Sequence, residues 1–174
     1  MNLKSIKYSY AILLILSLAF IRLIPHAPNF TPIIAISIYA GIKIKNKYLA
    51  LVIPILSMFL SDLFIGLHSN MLAVYFCILL NVFIGFYFSN KFTFTKYMYL
   101  SFLGACIFFI ITNFSVWMLS KMYPLSIEGL ISCYILALPF FHNTLASSLF
   151  FGCIIYFTTI VFEKYCDKKY QIIK

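Results

Sequence analysis

Nine polar side chains could do chemistry in this chain, because they interrupt or flank its long apolar runs. The set combines an arginine, an aspartate, three histidines, three asparagines and the one tryptophan: Arg22, His26, Asn29, Asp62, His68, Asn113, Trp117, His142 and Asn143. Polar groups at such positions tend to face a cavity or a partner. Their mixture of donors and acceptors is typical of small-molecule recognition, so we take them as candidate substrate-binding residues.

Asn113 and Trp117 are four residues apart, so they share one face of a helix. An indole plane beside an amide suits a flat polar heterocycle, whose face stacks while its edge is read by the amide. A tryptophan near the end of a span is also typical of the interfacial aromatic belt. Both interpretations stay open.

Arg22 and Asp62 carry opposite charges at the ends of two apolar runs. We expect a mutual ion pair or a loop anchor, because an isolated charge beside apolar segments is costly. Direct contact with a ligand and snorkelling to lipid headgroups are the alternatives.

The three histidines suggest a metal site, since neutral imidazole suits zinc, copper, nickel or cobalt. They belong to three separate loops and show neither HxxxH nor HExxH spacing. Hydrogen bonding within the loops or polar recognition is therefore the preferred interpretation. The five cysteines are scattered without a CxxC pair, which is typical of small buried hydrophobes.

Motifs for catalysis are absent from the sequence, which lacks GxSxG, HExxH and P-loop patterns and paired carboxylates on one helix. We predict that the protein is not an enzyme and holds no metal and no cofactor. Two alternatives stay open: a membrane enzyme or metal-binding protein that uses the histidines, and a scaffold that binds other membrane proteins.

Composition places these residues in a membrane. Of 174 residues, 64% are hydrophobic and 10% charged, which is more apolar surface than a soluble domain of this size buries. The net charge of +9 resides in lysines of short loops and tails, so it predicts topology rather than nucleic-acid binding. Because the runs do not alternate in polarity, we predict an all-α, polytopic six-helix transmembrane bundle in a single domain, residues 1–174.

The predicted spans are Tyr8 to Ile24, Pro32 to Ile44, Tyr48 to Ser61, Met71 to Ser89, Tyr97 to Ser120 and Asn143 to Phe162. Lysines between them set the orientation, with both termini cytoplasmic and the first span kept as an uncleaved anchor. The predicted cytoplasmic set is Lys4, Lys7, Lys43, Lys45, Lys47, Lys91, Lys96, Lys164, Lys168, Lys169 and Lys174, against Arg22 and Lys121 outside.

Three short or broken elements meet on the outer side of this topology: the loop at residues 25–30, the connection at residues 61–70, and residues 121–142. Within the last of these, the segment Ile127 to Leu138 is only about 18 Å long as a helix, so we expect it to dip into the membrane or to lie along the outer face, capped by Ser126 and stopped by Pro139. The second span, capped by Thr31, is too short to reach the outer surface. The loop before it must then descend, which together with the connection at residues 61–70 predicts an outward pocket.

Several strings carry a family resemblance: RLIPHAPNFTP at residues 22–32, SD at 61–62 with Gly66 and His68, TNF at 112–114 with Trp117, YPL at 123–125, and PFF at 139–141 with Asn143 and Thr144. They resemble a family of small bacterial membrane proteins of unknown function described as candidate transport proteins. More loosely, the architecture is similar to the substrate-binding S components of energy-coupling factor (ECF) transporters, including the solitary vitamin B12 type.

This resemblance implies a bundle in the bacterial inner membrane that binds a vitamin-like micronutrient, cobalamin or another vitamin, in an outward pocket covered by loops one, three and five. It also implies a protein that docks onto an ECF energising module with two ATPases or works alone. The expected partners are the small-molecule substrate and membrane lipid. No nucleic-acid partner is expected.

Overall fold

The computed structural model describes residues 3–90 and 92–172. Over these residues the chain forms six α-helices and one 3-10 helix. The α-helices are α1 (Leu3–Ala19), α2 (Ile33–Lys43), α3 (Lys47–Ile65), α4 (Met71–Tyr87), α5 (Phe94–Leu119) and α6 (Ile127–Ile172), and the 3-10 helix Phe20–Leu23 continues α1. The predicted all-helical class with six helices is therefore confirmed.

Four stretches of helix in the described residues are long and apolar enough to cross a membrane: Ser5–Leu23, Lys47–Ile65, Phe94–Leu119 and Ile127–Gln171. Large hydrophobic side chains also cover the outside of the bundle, among them Phe64 and Leu72, which are 79% and 84% exposed. Because lipid rather than water stabilises such a surface, these features indicate a membrane protein.

Helix α2 is the central element of the bundle. It has 11 residues, and those from Ile33 to Gly41 are all buried. It packs against each of the other five helices. A helix that is apolar on every side is stable only when it is enclosed, which explains why so short a helix lies in the middle. Its length of about 16 Å leaves the space beyond its N-terminus to other elements.

Glycines bring α2 and α4 into close contact. A Cβ atom built on Gly41 would lie 2.8 Å from the Cα atom of Gly85 on α4, closer than real Cβ atoms approach. Ala40 beside it is also fully buried. These small residues of α2 thus let another helix of the same chain approach closely.

Helix α6 differs from the prediction. It runs unbroken through 46 residues with Pro139 inside it, so the predicted separate segment Ile127 to Leu138 and the sixth span Asn143 to Phe162 are parts of one helix. Proline removes only one backbone hydrogen bond, and transmembrane helices tolerate that loss when neighbours pack against them, as α5 does here. The predicted cap is confirmed, since Ser126 Oγ accepts a hydrogen bond from the Gly129 N–H at 3.2 Å.

The start of α2 corrects a second expectation. The helix begins at Ile33, its N-cap is Pro32, and no side chain caps it. Thr31 therefore does not cap α2. Its backbone N–H instead donates to the Asn29 carbonyl at 3.1 Å, which ends the preceding loop in a tight turn.

Ion pairs tie the helices together at one end of the bundle. Lys7 Nζ lies 2.7 Å from Asp167 Oδ1, and Lys43 Nζ lies 2.8 Å from Glu163 Oε1. These contacts join α1 and α2 to the C-terminal part of α6. Of the lysines used to predict orientation, Lys91 and Lys174 lie outside the described residues, as does the side chain of Lys4.

Candidate functional site

A cavity of about 430 Å³ lies at the other end of the bundle, beyond the N-terminus of α2. The α1–α2 and α3–α4 connections contribute to its wall together with residues of α2, α3, α4, α5 and α6, whereas the α5–α6 connection does not. The polar lining residues are Arg22, His26, Asn29, Thr31, His68, Asn70, Thr112, Asn113 and Thr144, and the apolar ones are Ile33, Ile34, Met58, Ile65, Val74, Phe108, Phe109, Val116, Phe140 and Phe141.

Burial gives the cavity a mouth and an inner wall. The loop residues His26, Asn29 and His68 are exposed, so they surround the mouth. Thr112 on α5 and Thr144 on α6 are only 7% and 4% exposed, so they belong to the inner wall. A ligand that enters between the loops would thus meet helix side chains below.

Five of the nine candidate residues from the sequence line this cavity, namely Arg22, His26, Asn29, His68 and Asn113. The other four, Asp62, Trp117, His142 and Asn143, are outside its lining. Asp62 adjoins the cavity through Arg22, whereas the remaining three have structural contacts or lie at the surface.

Arg22 and Asp62 form the ion pair that the sequence predicted. Arg22 Nη1 donates to Asp62 Oδ1 at 2.5 Å and to Ser61 Oγ at 2.6 Å. The Tyr75 hydroxyl donates to the second carboxylate oxygen at 2.7 Å. The Asp62 side chain is 0% exposed and that of Arg22 15%, so the pair is buried in the cavity wall. It fixes the end of α1 to α3 and α4, which positions the loop that follows.

Trp117 does not share the cavity with Asn113. Its indole Nε1 donates to the Pro124 carbonyl at 3.0 Å, and its ring lies 5.5 Å from that of Phe114. It therefore stabilises the connection between α5 and α6. The aromatic surface inside the cavity comes from phenylalanines instead, with the rings of Phe109 and Phe141 4.7 Å apart.

Loop residues 24–32 are held over the cavity by α6. Asn143 Nδ2 donates to the Pro28 carbonyl at 3.0 Å, and Ser147 Oγ donates to the Asn29 carbonyl at 3.4 Å. The Phe30 ring packs 5.8 Å from that of Phe151. Asn29 adopts a φ of 62°, a left-handed conformation that asparagine tolerates better than most residues. Asn143 thus acts on the loop rather than on the cavity itself.

The Asn143 bond leads to a testable expectation. Replacing Asn143 by leucine should accelerate amide hydrogen exchange at Phe30 and Thr31, because the Pro28 carbonyl loses its partner on α6. The global stability should fall by only about 1 kcal/mol, the usual contribution of one hydrogen bond. The neighbouring His142, which is exposed, provides the control variant His142→Ala. Unchanged exchange in Asn143→Leu would show that the Ser147 bond and the packing of Phe30 hold the loop without Asn143.

The histidines do not form a triad. His26 and His68 line the cavity, but His142 is exposed elsewhere on α6. Within residues 3–90 and 92–172, no three His, Cys, Asp or Glu side chains lie together as metal ligands would. His26 Nδ1 lies 2.5 Å from the Ile24 carbonyl, so one ring nitrogen is engaged by the loop itself.

Asn70, Thr112 and Thr144 are lining residues that the candidate set lacked. Each sits next to a residue with a sequence signal. Thr112 precedes Asn113, Thr144 follows Asn143, and Asn70 ends the connection that contains His68. A hydroxyl in an otherwise apolar helix is a weak signal, because it is satisfied by the helix backbone in most positions.

The fold and cavity define the class of this molecule as an all-helical membrane-type protein with a polar pocket between loops and helices. The chain belongs to DUF6580, a family of unknown function, whose model matches residues 3–169. No curated protein and no solved structure matches the chain. The resemblance to a family of unknown function is thus confirmed, whereas the family description names no transport activity and no likeness to ECF S components.

Proposed function

We propose that the protein is a substrate-binding membrane subunit for the uptake of a small, vitamin-like micronutrient. The observation that carries this proposal is the cavity itself. Its volume of about 430 Å³ lies within the range of about 300–1,000 Å³ usual for small-molecule sites. It also combines an aromatic surface with a few polar groups from different elements, as ligand pockets do.

The volume favours a ligand of one or two rings. A corrinoid such as cobalamin, with its macrocycle and nucleotide arm, is far larger than this space. Of the vitamin-like substrates implied by the ECF resemblance, the smaller ones are therefore the better candidates.

The distribution of lysines supports an outward-facing cavity. Lys7 and Lys43 lie at the end of the bundle opposite the cavity, where they pair with residues of α6. At the same end, Lys45 lies in the connection between α2 and α3, Lys47 begins α3, and Lys164 and Lys168 lie in the C-terminal part of α6. Since basic residues concentrate on the cytoplasmic side, this end faces the cytoplasm in our proposal, and the cavity faces outward.

In this proposal, uptake depends on the loops that cover the cavity and on the helix that closes its inner side. A substrate enters past His26 and His68, and the loops close over it. The buried half-length helix α2 separates the cavity from the cytoplasmic end, so release inward requires α2 and its neighbours to shift. Uptake against a concentration gradient would also need an energy source, which an ECF-type module with ATPases would provide as a partner.

Cavity filling tests the proposal directly. The protein purified in detergent is expected to retain a small molecule detectable by mass spectrometry, and to gain thermal stability with one member of a vitamin panel. Val116 lines the cavity, so Val116→Phe should reduce that binding at least about 100-fold by occupying the ligand's space. Val161 is 67% exposed, so Val161→Phe adds the same volume on the outer surface and should leave binding unchanged.

Two results would contradict this function. One is the absence of any retained molecule together with the absence of any stabilising compound in the panel. The other is a binder whose affinity is equal in Val116→Phe and in the unaltered protein, since that compound would bind elsewhere.

A further inference from the structure

We infer that the cavity selects a ligand rich in hydrogen-bond donors, a small nitrogen heterocycle that carries an amino or carboxamide group and no negative charge. This inference rests on the proposed function and names its class of substrate. It follows from which hydrogen-bonding capacities of the lining residues are already used.

The helix side chains of the cavity wall donate to backbone carbonyls. Thr112 Oγ1 donates to the Phe108 carbonyl at 2.7 Å, and Thr144 Oγ1 donates to the Phe140 carbonyl at 2.9 Å. A hydroxyl has one donor and two acceptor lone pairs. Both threonines have therefore used their only donor, and the capacity that they offer to a ligand is that of an acceptor.

Each asparagine of the wall likewise uses one of its two amide N–H groups for a backbone carbonyl. Asn113 Nδ2 donates to the Phe109 carbonyl at 2.8 Å, and Asn70 Nδ2 donates to the Thr112 carbonyl at 3.2 Å. Because a carbonyl can only accept, these contacts identify the nitrogen of each amide. The side-chain oxygen of Asn70 is buried and has no hydrogen-bond partner. Because Asn70 lines the cavity, a donor group on the ligand would satisfy this acceptor.

The pairing of Arg22 with Asp62 disfavours an anionic ligand. Arg22 is the one Lys or Arg side chain among the described lining residues, and its Nη1 is bonded to Asp62 and Ser61. The pair has no net charge. A carboxylate or phosphate would have to compete with Asp62 for Arg22, and it would meet the oxygen acceptors of Thr112 and Thr144 on the inner wall.

Aromatic rings define the remaining surface. Phe108, Phe109, Phe140 and Phe141 come from α5 and α6 and line the cavity beside the threonines. Rings of this kind bind flat ligands by offset stacking or edge contacts. A planar ring that bears N–H donors on one edge can contact the phenylalanine rings with its face and the threonine and asparagine oxygens with that edge.

Matched probe pairs test the inference, because each pair keeps the ring. Nicotinamide and nicotinate differ in the amide donor and in charge, whereas adenine and N6,N6-dimethyladenine, both uncharged, differ in the amino donors and in two methyl groups. Binding to the purified protein is measured by calorimetry and thermal shift, and every compound of the vitamin panel that binds is sorted by the same criterion. We expect the donor-bearing, uncharged members to bind at least about 10-fold more tightly than their partners, the usual effect of one unpaired polar group.

Substitutions of lining residues identify which side chains cause this preference for donor-bearing ligands. Asn70→Leu should reduce the preference within a pair at least about 10-fold, and Thr144→Val should act in the same direction without a change of shape. Asn81 on α4 provides the matched control, since its Nδ2 also donates to a backbone carbonyl and its Oδ1 is also unpartnered, but it is outside the cavity lining. Asn81→Leu should leave the preference unchanged.

The possible outcomes distinguish failure of the inference about the ligand class from failure of the proposed uptake function. Preferred binding of a carboxylate, a phosphate ester or a donor-free member overturns the inference while the uptake function stands. A preference that survives Asn70→Leu and Thr144→Val also overturns it. Failure of every compound, acids included, to bind overturns the proposed function and the inference with it.

Discussion

Removing the Asp62 carboxylate is expected to destabilise the protein by about 3–5 kcal/mol, because the Arg22 guanidinium would stay buried without its counter-charge. Asp62 accepts hydrogen bonds from Arg22 and from the Tyr75 hydroxyl, and its side chain is 0% exposed. In Asp62→Leu, both donors would lose their acceptor. The measurement is resistance to unfolding in a denaturing detergent.

The Lys43–Glu163 pair is the matched control. Its side chains are 20% and 28% exposed, so water and lipid headgroups can solvate either charge alone. Glu163→Gln should therefore cost at most about 1 kcal/mol. The comparison separates the effect of burial from that of losing an ion pair.

A double variant tests the cause. If the cost of Asp62→Leu comes from an unpaired arginine, then Arg22→Met combined with Asp62→Leu should recover most of the stability, since a buried pair can be replaced by apolar residues at little cost. Equal destabilisation in the single and double variants would instead assign the loss to the Tyr75 contact or to packing.

Much of this fold could be predicted from the sequence because the interactions that form each helix and its cap are local. Apolar runs between lysines predict helices, and Ser126 before the first turn predicts a cap. The Arg22–Asp62 pair was predictable for a similar reason, as opposite charges beside apolar runs stabilise each other. In these cases the residue types themselves specify the contact.

The structure differs from the prediction where packing between segments far apart in the sequence determines the conformation. Pro139 disfavours a helix locally, yet α6 continues because α5 packs along it and only one backbone hydrogen bond is lost. Trp117 shares a helix face with Asn113, but it lies one turn, or about 6 Å, further along α5, which places it against Pro124. Spacing alone does not reveal how deep a cavity extends.

The inner wall was the least predictable part of the candidate site. Thr112 and Thr144 are on different helices, and only the packing of α5 against α6 brings them to one cavity. Their role in the wall also depends on which of their hydrogen bonds are used by the backbone. Neither property is encoded in a short motif.

The second large effect is expected at Gly41. Gly41→Ala should destabilise the protein by about 1–3 kcal/mol, because its Cβ would meet the backbone of α4, including Gly85 Cα at 2.8 Å, and a backbone can yield only if the helix moves. Unfolding in detergent measures the effect.

Gly152 on α6 is the control with the same substitution. The nearest atom to its added Cβ is Cε of Met98, also at 2.8 Å, but this is the end of a flexible side chain that can rotate away. Gly152→Ala should be neutral or should gain up to about 1 kcal/mol, since alanine favours a helix more than glycine does. Equal effects of the two variants would contradict the close contact between α2 and α4.

The position of α2 also connects this contact to the cavity. Ile33 and Ile34 at its N-terminus line the cavity, whereas Gly41 lies two turns further along the same helix. A displacement of α2 away from α4 would therefore change the cavity floor. We expect Gly41→Ala to weaken ligand binding as well as stability, and Gly152→Ala to change neither by more than a small amount. Binding that persists unchanged in a destabilised Gly41→Ala protein would show that α2 does not shape the cavity.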